Sequence, residues 1–359
     1  MTILSRYVMR IFAAMFAVSL ASFSSIYLII DFLEKISRFS RSGGGSGKIL
    51  TFLFLQGIDV TAQMTPLALL MASVLTIGSL VRNSELVVIT MAGISIVRLA
   101  RPMLLTGLAM SLFLLLFGET TLPGIRSHKN DLKALLSGKK PPSVTFHQND
   151  IWYRDREAII SISHFIPGER KVLGVSILSF DPDFTLTERI EARQGYLDKG
   201  SLQLDHVTLY RFKDGGIESF ETLPSLPHPT TLSLEDLREI EKQADSMSFG
   251  MLRGYARKLA SAGSPSPRWE TLMAARLAEP FAAFVMTLVG IPFAVGHARG
   301  SGPAQGIALS IVTALSYFVA NSLAISLGQN AILPPMVAGW ITPLLFLLLG
   351  GVLLKRSSG

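Results

Sequence analysis

"GSGPAQGIALSIVTALSYFVANSLAISLGQNAILPPMVAGWITPLLFLLLGGVLL", Gly300–Leu354, runs 55 residues without one charged side chain. A membrane crossing by an α-helix takes about 20 apolar residues, so this run is too long for one. "SLGQNAILPP", Ser326–Pro335, interrupts it with Gly, Asn and a Pro pair, the chemistry of a turn. The stretch therefore reads as two spanning helices joined by a tight loop. Four more runs lie N-terminal to it. Ile11–Ile30 is uncharged over 20 residues, Val60–Val81 over 22, Pro102–Gly118 over 17 and Pro280–Gly296 over 17, the last extendable back through Leu272 to Ala278. Six spans result, three before a long insert and three after it.

The bulk composition agrees. Of 359 residues, 49% are hydrophobic and 16% charged, and the mean hydropathy is +0.44; soluble domains carry about a quarter charged residues. From Pro123 to Glu270 there are 20 basic and 20 acidic residues, so the other 13 basic and 6 acidic supply the whole net charge of +7. That excess flanks apolar runs, where cations meet lipid phosphates, and it is no nucleic-acid signature. With the N-terminus in the cytoplasm, eight cations fall inside: Arg6, Arg10, Arg82, Arg98, Arg101, Arg299, Lys355 and Arg356. Four, Lys35, Arg38, Arg41 and Lys48, fall in short outer loops. The bias favours this orientation, which places the insert outside the cytoplasm. Arg6 and Arg10 precede a run long enough to span, with no clear small-residue cleavage site, so a cleaved signal is not expected. The absence of cysteine excludes disulfides, Cys-ligated zinc and thiol nucleophiles.

Between Ser143 and Leu234 the apolar period changes to two. "SVTFHQNDIWYRD", "EAIISISHF", "LGVSILSFD", "FTLTERIEA", "GYLDKGSLQLDHVTLYRF" and "GIESFETL" alternate, with turns at "PGER", "DPD", "DKG" and "KDGG". This predicts eight or more short strands in an antiparallel sandwich or jelly-roll-like all-β domain. A helix is expected over residues 248–262 before "SPSPRW" breaks the chain. The expected organisation is residues 1–122 for spans one to three, 123–270 for the β domain and its flanking helix, and 271–359 for spans four to six.

No engine is visible. "SGGGSGK", Ser42–Lys48, has Ser where a phosphate loop needs its first Gly and Ile49 where the magnesium-binding hydroxyl belongs. Its composition is that of a flexible linker. The six histidines lack metal-ligand spacing, and no cofactor or catalytic set is expected. Ion-coupled transport wants charges inside the bilayer. Asp59, Glu119 and Glu279 lie only at the edges of apolar runs, where capping or snorkelling explains them.

"RNSELVVITMAGIS", Arg82–Ser95, lies in the short loop between spans two and three. Ser84 can cap a helix and Glu85 suits its positive end. Leu86, Ile89, Gly93, Ile96 and Val97 recur at helical spacing, giving a helix over 84–98. Such a helix either lies in the membrane interface or offers an apolar face and a carboxylate to a cytoplasmic partner.

Six segments carry a resemblance: "SRYVMRIF", "PLALLMASVLTIGSLVRNSELVVITMAGIS", "GETTLPGIRSHKNDLKALL", "DIWYRDREAIISISHF", "MAARLAEPFAAFVMTLVGIPFAV" and "ILPPMVAGWITPLLFLLLGGVLL". Over nearly its whole length the chain resembles the LptF/LptG permeases of lipopolysaccharide export. "SRY", "DFLE" and "PPMVAGWITP" lean towards the LptG branch. The resemblance implies a bacterial inner-membrane subunit that is not itself an enzyme. It implies pairing with an LptF-like permease, an LptB-like ATPase dimer, an LptC-like single-span protein and an LptA-like periplasmic bridge. Lipopolysaccharide would enter from the outer leaflet. Glu85 matches the family's coupling-helix acid, flanked by Arg82, Ser84, Leu86, Val87, Ala92 and Gly93. Lys35, Arg38 and Arg41 would meet lipid A phosphates, against a generic head-group role for the same residues. Asp31 departs from relatives that are basic there. Ile160, Ile162, Val175, Ile177 and Leu178 are candidates for an apolar groove, with ordinary sandwich core as the competing role. A membrane scaffold with a periplasmic binding domain is the alternative to a permease.

Overall fold

The computed structural model describes residues 3–41, 46–136, 144–147, 150–155, 158–166, 171–181, 185–198, 201–213, 216–230, 247–261, 267–297 and 303–357. The elements are α1 (Ile3–Arg41), α2 (Ser46–Arg82), α3 (Glu85–Met91), α4 (Ile96–Thr120) and α5 (Leu122–Leu136). Seven strands follow: β1 (Val144–His147), β2 (Asp150–Asp155), β3 (Ala158–Ile166), β4 (Lys171–Phe180), β5 (Leu186–Asp198), β6 (Ser201–Lys213) and β7 (Gly216–Pro229). Last come α6 (Phe249–Ser261), α7 (Pro267–Ala278), a 3-10 turn (Glu279–Phe281), α8 (Ala282–His297), α9 (Pro303–Gln329) and α10 (Pro335–Ser357). Six helical stretches are long and apolar enough to cross a membrane: 3–35, 47–82, 96–120, 267–295, 307–329 and 335–356.

These elements form two compact units, Met1–Leu136 with Ser248–Leu252 and Ser266–Gly359, and Ser137–Met247 with Arg253–Pro265. The helical unit thus extends past the expected boundary at 122/123 to Leu136. The reason is α5, which packs on α2. Leu132 and Leu136 gather with Ile49 and Phe52, and two cations of α5 reach Asp59.

At the centre of the helical unit is α8. Its Val285, Met286, Val289 and Ile291 are fully buried, and it packs against α2, α4 and α10. Among helices that gain nothing by fleeing water, close backbone approach is what holds them. Gly290 permits it, since a Cβ there would stand 2.9 Å from the Leu70 carbonyl oxygen of α2. Hydroxyls inside the spans bond back along their own helices, Thr61 to the Gly57 carbonyl and Thr65 to the Thr61 carbonyl at 2.7 Å each. This removes the cost of leaving a hydroxyl unpaired in hydrocarbon.

The β unit is one antiparallel sheet in the order β1 to β7, each strand paired with its sequence neighbours. The pairing is a meander, without the crossovers of a jelly roll among the described strands. Ile160, Ile177, Ile190 and Leu209 stand opposite one another across four strands, and all are buried. Every described member of that core comes from the sheet. Ile160, Ile162, Val175 and Ile177 belong to this core, and Leu178 is half-buried.

Among the described residues seven strands appear where eight or more were expected, because "FTLTERIEA" and "GYLD" form one strand, β5. Gly195 looks like punctuation in the sequence. In the sheet it is a close-approach point, since a Cβ would stand 2.9 Å from the Gln203 carbonyl oxygen. At the other side β7 runs through Pro224, Pro227 and Pro229. Among the described residues β7 has a partner on one side only, and such a strand tolerates residues that cannot donate to a ladder.

Candidate functional site

The loop between α2 and α4 folds as a knuckle. Its helix α3 has only seven residues, Glu85–Met91, shorter than the expected 84–98. The break comes from "AGIS". Gly93 has φ +79°, its N–H donates to the Thr90 carbonyl at 3.0 Å, and the Ile94 N–H donates to the Ile89 carbonyl at 3.3 Å. These two bonds are the Schellman termination, which wants a residue in the left-handed region. Ser95 then caps α4 by accepting from the Arg98 N–H at 3.4 Å, so Ile96 and Val97 begin the third span. Ser84 does not cap α3 as expected. It sits at φ 58° and its side chain makes no capping bond.

Glu85 is held from two sides. The Tyr7 hydroxyl of α1 donates to one carboxylate oxygen at 2.9 Å and the Asn83 side-chain amide to the other at 3.3 Å. Leu86 is buried in the core that Val8, Phe12, Ile96 and Leu99 share. Ile89 packs beside it, half-buried, while Val87 is 48% exposed, Val88 65% and Met91 83%. Arg82, Ala92 and Gly93 are exposed beside them.

At the opposite end of the helical unit lies an apolar cleft of about 570 Å³. Its walls are Phe16, Leu20 and Leu28 of α1, Leu53, Phe54, Ile58 and Ala62 of α2, and Met110, Phe113 and Phe117 of α4. That volume falls in the range of small-ligand and lipid sites. Cations gather at the level of the cleft's end. Lys35 pairs with Asp31 at 2.5 Å and lies 5.4 Å from the centre of the Phe52 ring. Arg126 pairs with Asp59 at 2.9 Å, and Lys129 bonds the other oxygen of the same carboxylate. Asp59 is about 35 Å along α2 from Arg82, and Lys35 is about 38 Å along α1 from Arg10, at 1.5 Å per residue. With a hydrocarbon core about 30 Å thick, both ion-pair groups reach head-group level on the far side. The side chains of Arg38 and Arg41 lie outside the described residues.

Of the sequence-predicted residues, the structure brings Glu85, Leu86, Val87, Ala92 and Gly93 together on the knuckle. Lys35 stands at the far end. Arg126 and Lys129 were missed. The signal that could have found them is an i,i+3 basic pair on an amphipathic α5, with a lone carboxylate at the edge of an uncharged span. Glu119 likewise proves structural, accepting the Phe249 N–H at 2.6 Å where α6 begins.

Six spans interrupted after the third by a β unit, with a helical knuckle between spans two and three and an apolar cleft among spans one to three, define a polytopic permease-type membrane protein. Comparison with known proteins carries this further. The family model described as "Lipopolysaccharide export system permease LptF/LptG" matches residues 6–356, and the chain belongs to that family. It is 25% identical to the lipopolysaccharide export system permease protein LptG of Haemophilus influenzae, over 99% of this chain and 98% of that protein. It is 24% identical to the LptG of Escherichia coli K12, over 94% and 93%. Within the family the chain is most like LptG.

Proposed function

We propose that the chain is the membrane subunit that lifts lipopolysaccharide out of the outer leaflet of the bacterial inner membrane, driven by a separate ATPase docked on α3. The carrying observation is the knuckle itself. A short helix locked between two spans, with Val87, Val88 and Met91 bare, is an apolar surface wanting a protein partner. With the N-terminus in the cytoplasm, α3 faces an LptB-like ATPase dimer, and Glu85 offers a carboxylate to a basic side chain there. Arg82, Ser84, Leu86, Ala92 and Gly93 shape and hold that surface.

The far cleft then opens in the outer half of the bilayer. Its apolar walls suit acyl chains, and Lys35, Arg126 and Lys129 suit lipid phosphates, for which charge-assisted bonds are strongest. Arg38 and Arg41 follow Lys35 in sequence and are proposed for the same lipid phosphates. Lys35 is paired with Asp31, while Arg126 and Lys129 share Asp59, which leaves one positive charge in excess there for a phosphate. An LptF-like permease completes the transmembrane chamber. The β unit faces the periplasm, where an LptC-like protein and an LptA-like bridge receive the lipid.

Affinity purification from mild detergent tests this. The wild-type chain is expected to retain an LptB-like ATPase and an LptF-like permease, and Glu85→Arg to lose the ATPase while keeping the permease. Export and ATPase retention undiminished in Glu85→Arg would end the docking role of α3. Recovery of the β-domain partners without any ATPase would favour a scaffold.

A further inference from the structure

The Tyr7–Glu85 hydrogen bond ties α3 to α1. Helix α1 runs unbroken for 39 residues from Ile3 to Arg41. Its packing partners α2 and α4 each carry an interior proline, Pro66 and Pro102. A proline removes a helical hydrogen bond and invites a bend; α1 has no such joint. Its near end meets the knuckle, its middle lines the apolar cleft with Phe16, Leu20 and Leu28, and its far end bears Lys35. A displacement of α3 that reaches Tyr7 is therefore delivered to the cleft wall by a rigid rod.

We infer that Tyr7 is a positioning residue, the joint through which movement of α3 is passed to α1. The chemistry allows Glu85 to serve both sides at once. A carboxylate accepts at two oxygens. One takes the Tyr7 hydroxyl; the other holds only the Asn83 amide at 3.3 Å, a long bond that a partner's cation replaces. Docking therefore leaves the Tyr7 bond intact and polarises it. Leu86 backs the joint from within the same apolar core as Val8, so the hydroxyl sets the direction of the link and the packing sets its distance. The inference rests on the proposed coupling role of α3 for its biological use, and on the geometry alone for the joint.

Tyr7→Phe removes one oxygen and leaves the ring. In the full chain in nanodiscs, spin labels at Val87 and Leu33, both exposed, report the α3–α1 distance. The expected result is a broader distance distribution in Tyr7→Phe than in the wild type; an unchanged distribution overturns the joint. In the purified complex, Tyr7→Phe is expected to keep its ATPase partner while lipid released per ATP falls about threefold to tenfold, the factor a typical intramolecular hydrogen bond carries. Glu85→Gln, which still accepts from Tyr7, should keep the narrow distribution while docking weakens. A Tyr7→Phe complex with undiminished lipid release per ATP overturns the joint's role in transport. Loss of the ATPase from the wild-type complex would instead sink the coupling reading and leave the distance result standing.

Discussion

Asp59 is the residue on which the far end of the helical unit turns. Its side chain is 4% exposed, and Arg126 and Lys129 converge on it from a helix 67 and 70 residues away in sequence. Removing one partner from a buried ionic group leaves the others uncompensated, at a cost of about 3 kcal/mol. Asp59→Asn is thus expected to lower the apparent melting temperature of the detergent-solubilised chain, while the exposed pair of Arg189 and Glu191 tolerates the equivalent change. Asp31 bears on Lys35 differently, as an i,i+4 neighbour sharing one cation. Asp31→Ala frees that charge, and binding of an anionic lipid, read by tryptophan quenching with brominated lipid, should tighten about twofold to fivefold, the worth of a modest ion pair. That Glu85 opens a short helix was legible in the sequence, because a single acid before a short apolar run stands out. Arg126 was not, because nothing in its neighbourhood announces that a span's edge carboxylate lies across from it.

Elements were legible where one period holds alone. Six spans follow from uninterrupted apolar length, and the alternation of the insert from half-buried strands. What escaped were the ends. α1 and α2 extend beyond their apolar cores to 39 and 37 residues, because once a span is helical its polar flanks continue cheaply. The knuckle was read as one helix over 84–98, since Gly93 falls on the apolar spacing; its φ of +79° makes it a terminator instead. α3 itself yields a prediction. Val88 and Met91 contribute exposed apolar area and little internal packing, so Val88→Ser with Met91→Ser should leave the melting temperature of the chain within about a degree, as surface changes do. The same pair should strip most of the co-purifying ATPase. Stability falling together with ATPase retention would mean these side chains serve the fold and not a partner.

At the scale of the whole chain, two units with separate cores share one polypeptide, one built for hydrocarbon and one for water. The three-insert-three plan was readable because charge and period change together at the insert. The exact handover was not, because α5 is amphipathic enough to belong to either side and joins the helices through Asp59. Separate cores predict separable unfolding, and pH distinguishes them. His228 lies in β7, half-buried, and burial lowers its pKa from 6.5, opposed by the charges of Asp155 and Glu188. As pH falls from about 6.5 towards the lowered value, the unfolded chain binds a proton that the folded sheet refuses. Stability of the β unit therefore drops over that window and levels off below it. Trp152 is the single tryptophan of the sheet, with Trp269 and Trp340 on helices α7 and α10. In a Trp269→Phe, Trp340→Phe background its fluorescence follows β unfolding alone. The midpoint should fall by a few degrees between pH 7.5 and 5.5, and His228→Asn should flatten that dependence. An equal slope in His228→Asn would assign the acid sensitivity to other groups of the sheet.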